Sequence, residues 1–281
     1  MGARRGLTAA IQGEQGSFSH EAALQALGKS VRVVPQPTFS ALFAAVTSGE
    51  AARGVVPVEN SLFGSIHESY DRLKANPLHI VAETKVRVRL CLAARPGTQL
   101  AAVVRVASHP VALAQCQKFF AAHPHLQAIP AYDTAGSVRD LFAADATADA
   151  AIGSALAARL YGAEILREAI EDHAENYTRF LVISREAAPP KGPSKTSLVF
   201  TLHNVPGALY AAMGVFAKRG LDLTKIESRP IPGRPWQYSF YVDVLGDPQG
   251  ALGEALDECR ALAQEFRILG SYPPAPGDGG P

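Results

Sequence analysis

Glu175-Asn176-Tyr177-Thr178-Arg179-Phe180 runs without a break into the apolar Leu181-Val182-Ile183. Polar and donor groups stack up where a strand begins. A strand is a rigid mount, and the turn feeding it can aim a hydroxyl, a guanidinium and backbone N–H groups into a cleft. Alone, the pattern also fits an ordinary polar start to a strand. Its meaning depends on the rest of the chain.

The 281 residues suffice for about two domains. A hydrophobic content of 47% supports a full core. The net charge is +1, with no block of like charges. That excludes a nucleic-acid surface and a polybasic membrane patch. The apolar runs are too short to span a bilayer. Residues 7–11 are too short for a signal-peptide core, so a cytoplasmic protein is expected. Cys91, Cys116 and Cys259 are odd in number and lack metal-ligand spacing. They read as small apolar packing residues, and no metal site is expected.

Residues 7–12 read as a buried strand. Gly13-Glu14-Gln15-Gly16-Ser17-Phe18-Ser19-His20-Glu21 then turns into a helix. Its free N–H groups suit a carboxylate or phosphate, and Ser19 as a plain N-cap from which Ala22 onward is helical is the bland alternative. The glycines match neither a dinucleotide fingerprint nor a P-loop. A strand at 31–34, a helix at 39–47 and a strand at 54–58 follow. Glu59-Asn60-Ser61-Leu62-Phe63-Gly64-Ser65 then leads into a helix over 66–73. In open α/β sheets ligands sit off the carboxyl ends of strands, which puts this loop and the first on one rim. Asn60 can donate and accept, and Ser61 and Ser65 add hydroxyls. Residues 80–92 have strongly β character. Next come a strand at 103–107, Ser108-His109-Pro110, and a helix over 111–120 that carries Gln115 one turn in. A strand at 127–132 precedes Asp133-Thr134-Ala135-Gly136-Ser137. A strand at 148–152 precedes Gly153-Ser154-Ala155. These strand-to-helix junctions make a rim of N–H and O–H donors.

Pro189-Pro190-Lys191-Gly192-Pro193-Ser194 reads as a linker. Beyond it, strand at 197–203, helix from Pro206, strands at 223–228 and 237–245, helix at 251–263 and strand at 266–272 give βαββαβ, a ferredoxin-like module. The tail from Pro273 is Pro/Gly-rich and expected to be disordered.

Taken in this order, the motifs resemble the prephenate dehydratases that carry a C-terminal ACT regulatory domain. The likeness covers nearly the whole chain. It rests on residues 13–23, on Pro57-Val58-Glu59-Asn60-Ser61-Leu62-Phe63-Gly64-Ser65-Ile66, and on Ser108-His109-Pro110 with Gln115-Cys116. It rests further on Asp133-Thr134-Ala135 and Asn176-Tyr177-Thr178-Arg179-Phe180. In the last module it rests on Gly207-Ala208-Leu209-Tyr210 and Glu227-Ser228-Arg229-Pro230. The resemblance implies an α/β catalytic region of two lobes, like a type II periplasmic binding protein, over 7–186. Lobe one would hold 7–84 and 178–186, and lobe two 85–177. A linker at 187–195, an ACT domain at 196–272 and a disordered tail at 273–281 would follow. ACT domains would dimerise, as a homodimer or a dimer of dimers, and bind phenylalanine at Asn204, Val205, Pro206, Gly207, Ala208, Leu209 and Glu227, Ser228, Arg229, Pro230.

The implied reaction removes the ring hydroxyl and ring carboxylate of prephenate, giving phenylpyruvate, CO2 and water. It needs no cofactor and no metal. By resemblance Thr178 donates to the departing hydroxyl, with Arg179 and Asn60 as catalytic partners. The ring carboxylate loses its charge as CO2 leaves, so tight cationic binding there would favour the ground state. It is therefore expected to meet neutral donors or apolar contacts such as Phe180. Ser17, Ser61, Gly64, Ser108, Gln115, Thr134, Ala135 and Ser154 complete the expected substrate site. Many bacterial members carry Glu where this chain has Ala155, and Ser154-Ala155 is similar to the plant-type arogenate dehydratases. Arogenate is therefore the alternative substrate. A non-catalytic two-lobed amino-acid sensor is the alternative from another class.

Overall fold

The computed structural model describes residues 6–188, 190 and 194–275. Packing divides the chain into two compact units. Of the described residues, one holds those up to His67 together with Thr84–Phe180, and the other holds Glu68–Glu83 with those from Leu181 onward.

The chain runs β1 (Thr8–Gln12), α1 (Phe18–Leu27), β2 (Arg32–Gln36), α2 (Phe39–Ser48), β3 (Arg53–Asn60), β4 (Gly64–Ser65), α3 (His67–Ala75), β5 (His79–Arg87) and β6 (Cys91–Ala94). It continues with β7 (Arg105–Ser108), α4 (Pro110–Ala114), α5 (Gln117–Ala122), β8 (Gln127–Pro130), α6 (Thr134–Asp140), β9 (Ala150–Gly153), α7 (Ala155–Tyr161), β10 (Glu164–Arg167) and β11 (Tyr177–Ser184). One sheet has the order β2-β1-β3-β11-β5, with β4 folded back on β3; the other has β10-β6-β9-β7-β8. β1 lies parallel to both β2 and β3. Its Ala9, Ala10 and Ile11 are wholly buried, as a parallel strand covered on both faces requires.

Several boundaries differ from the sequence reading for physical reasons. Ser17, not Ser19, caps α1, accepting from the His20 N–H at 3.4 Å. The β run expected over 80–92 breaks between β5 and β6, where the Val88 N–H donates to Asn176 O at 2.7 Å. The helix expected over 111–120 breaks at Gln115-Cys116. The distant Asp172 carboxylate accepts from the N–H groups of Gln117 and Lys118, at 3.0 and 2.9 Å, and so starts a fresh helix.

The C-terminal unit contains β12 (Lys195–Leu202), α8 (Ala208–Ala217), β13 (Leu223–Ile231), β14 (Arg234–Leu245), α9 (Ala251–Leu262) and β15 (Ala263–Tyr272). Its sheet order, β13-β14-β12-β15, is that of a ferredoxin-like module. By packing, Glu68–Glu83 goes with this unit rather than with its sequence neighbours. The Arg267 guanidinium donates to the carbonyls of Lys74, Asn76 and Leu78 at 2.9, 2.7 and 3.0 Å, a cation closing the end of α3. Gly270 lets β15 approach this segment, since a Cβ there would lie 2.1 Å from Ile80 O.

The expected linker ends earlier than 195, because Lys195 is buried in β12; Pro189 and residues 191–193 lie outside the described residues. The expected disorder from Pro273 does not hold at Ala275, which is buried and donates its N–H to Glu83 Oε1 at 2.8 Å. Residues 276–281 lie outside the described residues. No helix among the described residues is long and apolar enough to cross a membrane.

Candidate active site

A cavity of about 480 Å³ opens in the first unit. It is lined by Phe18 of α1, Asn60 of β3, Phe63 through Ile66 of the following hairpin, Val88 and Leu90. His109, Val111, Ala112, Gln115, Thr134 and Thr178 complete it. Both sheets contribute strand ends and the helix starts that follow them, the usual place for a ligand in α/β proteins. No Lys, Arg, Asp or Glu is among these residues. Phe18, Phe63, Val88, Leu90 and Val111 make much of the wall apolar.

Asn60 and Thr178 are joined directly. Asn60 Oδ1 accepts from the N–H groups of Leu62 and Phe63 at 3.0 and 3.1 Å. That fixes which way the amide faces. Its Nδ2 donates to Thr178 Oγ1 at 3.0 Å, to Asn176 Oδ1 at 2.8 Å and to Tyr177 O at 3.2 Å. Every polar atom of the Asn60 amide is thereby committed to protein. Thr178 Oγ1 receives a proton from Asn60, so its own proton is left for another acceptor. Ser61 staples the same two strand ends, donating to Glu175 O at 3.2 Å and accepting from the Tyr177 N–H at 2.9 Å.

The expected site residues divide clearly. Asn60, Gly64, Gln115, Thr134 and Thr178 line the cavity. Ser17, Ser61, Ser108, Ala135, Ser154, Arg179 and Phe180 are not among its lining residues. The serine hydroxyls have structural duties. Ser17 caps α1; Ser108 donates to Ile152 O at 2.7 Å; Ser154 caps α7 and donates to Gly16 O at 2.5 Å. Arg179 follows Thr178 on a strand, so its side chain leaves from the opposite face. Phe180 shares the Thr178 face but is wholly packed. Ala135 is buried in the first turn of α6.

The glycine turn packs rather than cradles. A Cβ on Gly16 would stand 2.6 Å from Ala157 Cα, and one on Gly13 would stand 2.8 Å from Asp133 Oδ2. Nearby Glu21 is pushed up by burial, partly offset by the Ser154 hydroxyl and Arg159. His20 is pushed down by burial, with Nδ1 accepting from the Gly16 N–H at 3.0 Å.

Apolar contacts are expected from Phe180, but the wall is made by Phe18, Phe63, Val88, Leu90 and Val111, and neither these nor His109 are among the expected site residues. In Ser108-His109-Pro110 the serine turns inward, while His109 caps α4, its Nδ1 accepting from the Val111 N–H at 3.2 Å. That bond sets the tautomer and leaves Nε2 as an N–H donor. Proline at the first helical position was the available signal.

In the C-terminal unit, Asn204, Val205, Pro206 and Gly207 form an exposed turn. Gly207 has φ +82°, and Ala208 and Leu209 open α8. On β13 the exposure alternates. Glu227 and Arg229 share the more covered face, Arg229 pairing with Asp71 at 3.0 Å, while Ser228 and Pro230 are exposed on the other. The ten expected effector residues thus do not all face one way.

Fold and cavity define an α/β protein of two sheets with a largely apolar cavity that lacks Lys, Arg, Asp and Glu, and a ferredoxin-like module. The prephenate dehydratase family model matches residues 9–188, and the ACT domain model residues 196–253. The chain is 40% identical over 276 residues to arogenate dehydratase/prephenate dehydratase 2, chloroplastic, of Arabidopsis thaliana, covering 94% of this chain and 72% of that protein. Prephenate dehydratase from Arthrobacter aurescens, solved in complex with L-Phe, superposes with a TM-score of 0.88 at 33% identity, covering 95% of this chain and 90% of that one. The structure of GqqA, described as a novel type of quorum quenching acylase, superposes with a TM-score of 0.88 at 38% identity, covering 96% and 98%. The chain belongs to the prephenate dehydratase family and carries an ACT domain.

Proposed function

We propose that the chain is a lyase converting prephenate to phenylpyruvate, with Thr178 as the donor to the departing hydroxyl. The observation that carries this reading is the 3.0 Å bond from Asn60 Nδ2 to Thr178 Oγ1 beside a neutral cavity. In the reaction the ring C–O bond and the bond to the ring carboxylate break. CO2 departs, the ring becomes aromatic, and the oxygen leaves as water after taking a proton. Negative charge builds on that oxygen, so a hydrogen bond from Thr178 strengthens as the bond breaks. The ring carboxylate loses charge, and a wall without Lys or Arg does not hold it back. Gln115 and Thr134 are neutral donors suited to the carboxylate that survives. Asn60 orients Thr178, and Arg179 stands outside the cavity lining.

Phenylalanine is the effector in this reading, bound through residues 204–209 and 227–230. A homodimer, or a dimer of dimers, is the assembly we propose, supported by the exposed Ile226, Trp236 and Tyr238 of the ACT sheet. Three buried free thiols suit the reducing cytoplasm.

The test is turnover of purified protein on prephenate and on arogenate, with and without phenylalanine. Phenylpyruvate from prephenate, suppressed by phenylalanine, is the expected result. Faster phenylalanine release from arogenate would favour the second substrate, which the 40% identity to an arogenate dehydratase/prephenate dehydratase also supports. Turnover of neither, with binding retained, would leave a sensor.

A further inference from the structure

The opening stretch holds a side chain that the proposed chemistry does not use. Asn176 is 0% exposed, yet its Nδ2 has no hydrogen-bond partner. Buried donors are nearly always satisfied, so an orphan calls for a reason. The reason lies in the neighbouring amide. Asn60 Oδ1 is taken by two backbone N–H groups, so Asn60 presents its Nδ2 to Asn176. An amide nitrogen only donates. Asn176 must turn its oxygen to Asn60, at 2.8 Å, and its own amine is left over. Turning the amide round would set two amines against each other. The backbone is held too, since Val88 on the cavity wall donates its N–H to Asn176 O at 2.7 Å.

Resting on the reading of Thr178 as the donor, we infer that Asn176 is a positioning residue for the reaction. It takes one of the two Nδ2 protons of Asn60. The second then goes to Thr178 Oγ1, and the Thr178 proton faces the ligand. Without Asn176, Tyr177 O at 3.2 Å is the competing acceptor, and the amide is free to swing towards it. Thr178 then loses its fixed orientation. A purely structural asparagine would be better replaced by an apolar side chain of the same shape, which removes the orphan donor.

Asn176→Leu keeps the branched shape and removes both the acceptor and the orphan. In the whole 281-residue chain, kcat is expected to fall about tenfold to a hundredfold, the usual effect of a misplaced catalytic group. KM should stay within about threefold, because the lost interaction belongs to the transition state. The urea midpoint should hold or rise. The double variant with Asn60→Ala should be no slower than Asn60→Ala alone, because the two amides act as one unit. Wild-type kcat in folded Asn176→Leu, a rise in KM alone, or losses that multiply in the double variant would each overturn the inference. If Asn176→Leu does not fold, Asn176→Ser is judged by the same criteria. Thr178→Val separates the two levels. Full activity there sinks the donor reading itself, whereas an inactive Thr178→Val beside a fully active Asn176→Leu sinks only the positioning role.

Discussion

Lys195 Nζ lies 2.7 Å from Glu83 Oε1, with both side chains almost wholly withdrawn from water. Glu83 Oε1 also accepts the Ala275 N–H, so one carboxylate ties β5, β12 and the chain after β15 together. Removing one partner leaves a buried charge, which typically costs about 3–5 kcal/mol. Lys195→Met and Glu83→Leu should each lower the urea midpoint accordingly. The double variant should recover much of the loss, because a buried pair roughly breaks even against apolar packing. Single-variant losses below about 1 kcal/mol, the range of an exposed pair, would contradict this account.

Asn60 tests the donor geometry. Asn60→Asp keeps an oxygen for the N–H groups of Leu62 and Phe63. It loses the donor that Thr178 needs, and invites the Thr178 proton to turn to the new carboxylate. Proton donation to a leaving group is typically worth about 10²–10⁴ in rate. Asn60→Asp and Asn60→Ala should therefore lose kcat within that range, while thermal melts show Asn60→Asp near wild type. An active Asn60→Asp would mean that Thr178 does not depend on Asn60.

Two glycines of similar backbone separate strain from collision. Gly16 has φ +88° and Gly28 φ +89°. A Cβ on Gly16 would strike Ala157, whereas one on Gly28 meets nothing within 4 Å. Gly28→Ala should cost only the backbone penalty, about 1–3 kcal/mol. Gly16→Ala should cost clearly more and loosen the packing of the β1–α1 turn against α7. Equal losses in calorimetry would show that the contact with Ala157 relaxes freely.

What could be read in advance was local. Caps act over three residues, so serines before helices announce the starts of α1 and α7, although only the backbone path decides between Ser17 and Ser19. Strand periodicity gave the order of the C-terminal module. What could not be read was long-range. Asp172 breaks a helix it does not adjoin in sequence, and Arg267 draws α3 into the C-terminal unit. The site shows the same divide. Thr178 and Asn60 stand in the cavity wall, while their neighbours Arg179 and Ser61 do not, because strand alternation and a backbone staple redirect them. The apolar wall carries no motif, and the commitment of every Asn60 polar atom appears only when the partners are placed.

The buried thiols give the last prediction. Burial pushes Cys91 and Cys116 up to about 12 and Cys259 to about 11. Acidic neighbours add to this at Cys91 and Cys116, led by Glu168 and Asp172 respectively. An unfolded cysteine ionises at about 8.5. Above that pH the unfolded chain binds fewer protons than the folded one, so folding stability falls as pH rises. The thiols' contribution is complete below about pH 8 and is lost progressively towards about 12. Urea midpoints measured from pH 7 to 10 should decline, and replacing all three cysteines with alanine should flatten the decline. A disulfide reagent at pH 8 should leave the folded protein unlabelled and react with three thiols on unfolding. Rapid labelling of the folded chain would show that these side chains open to solvent.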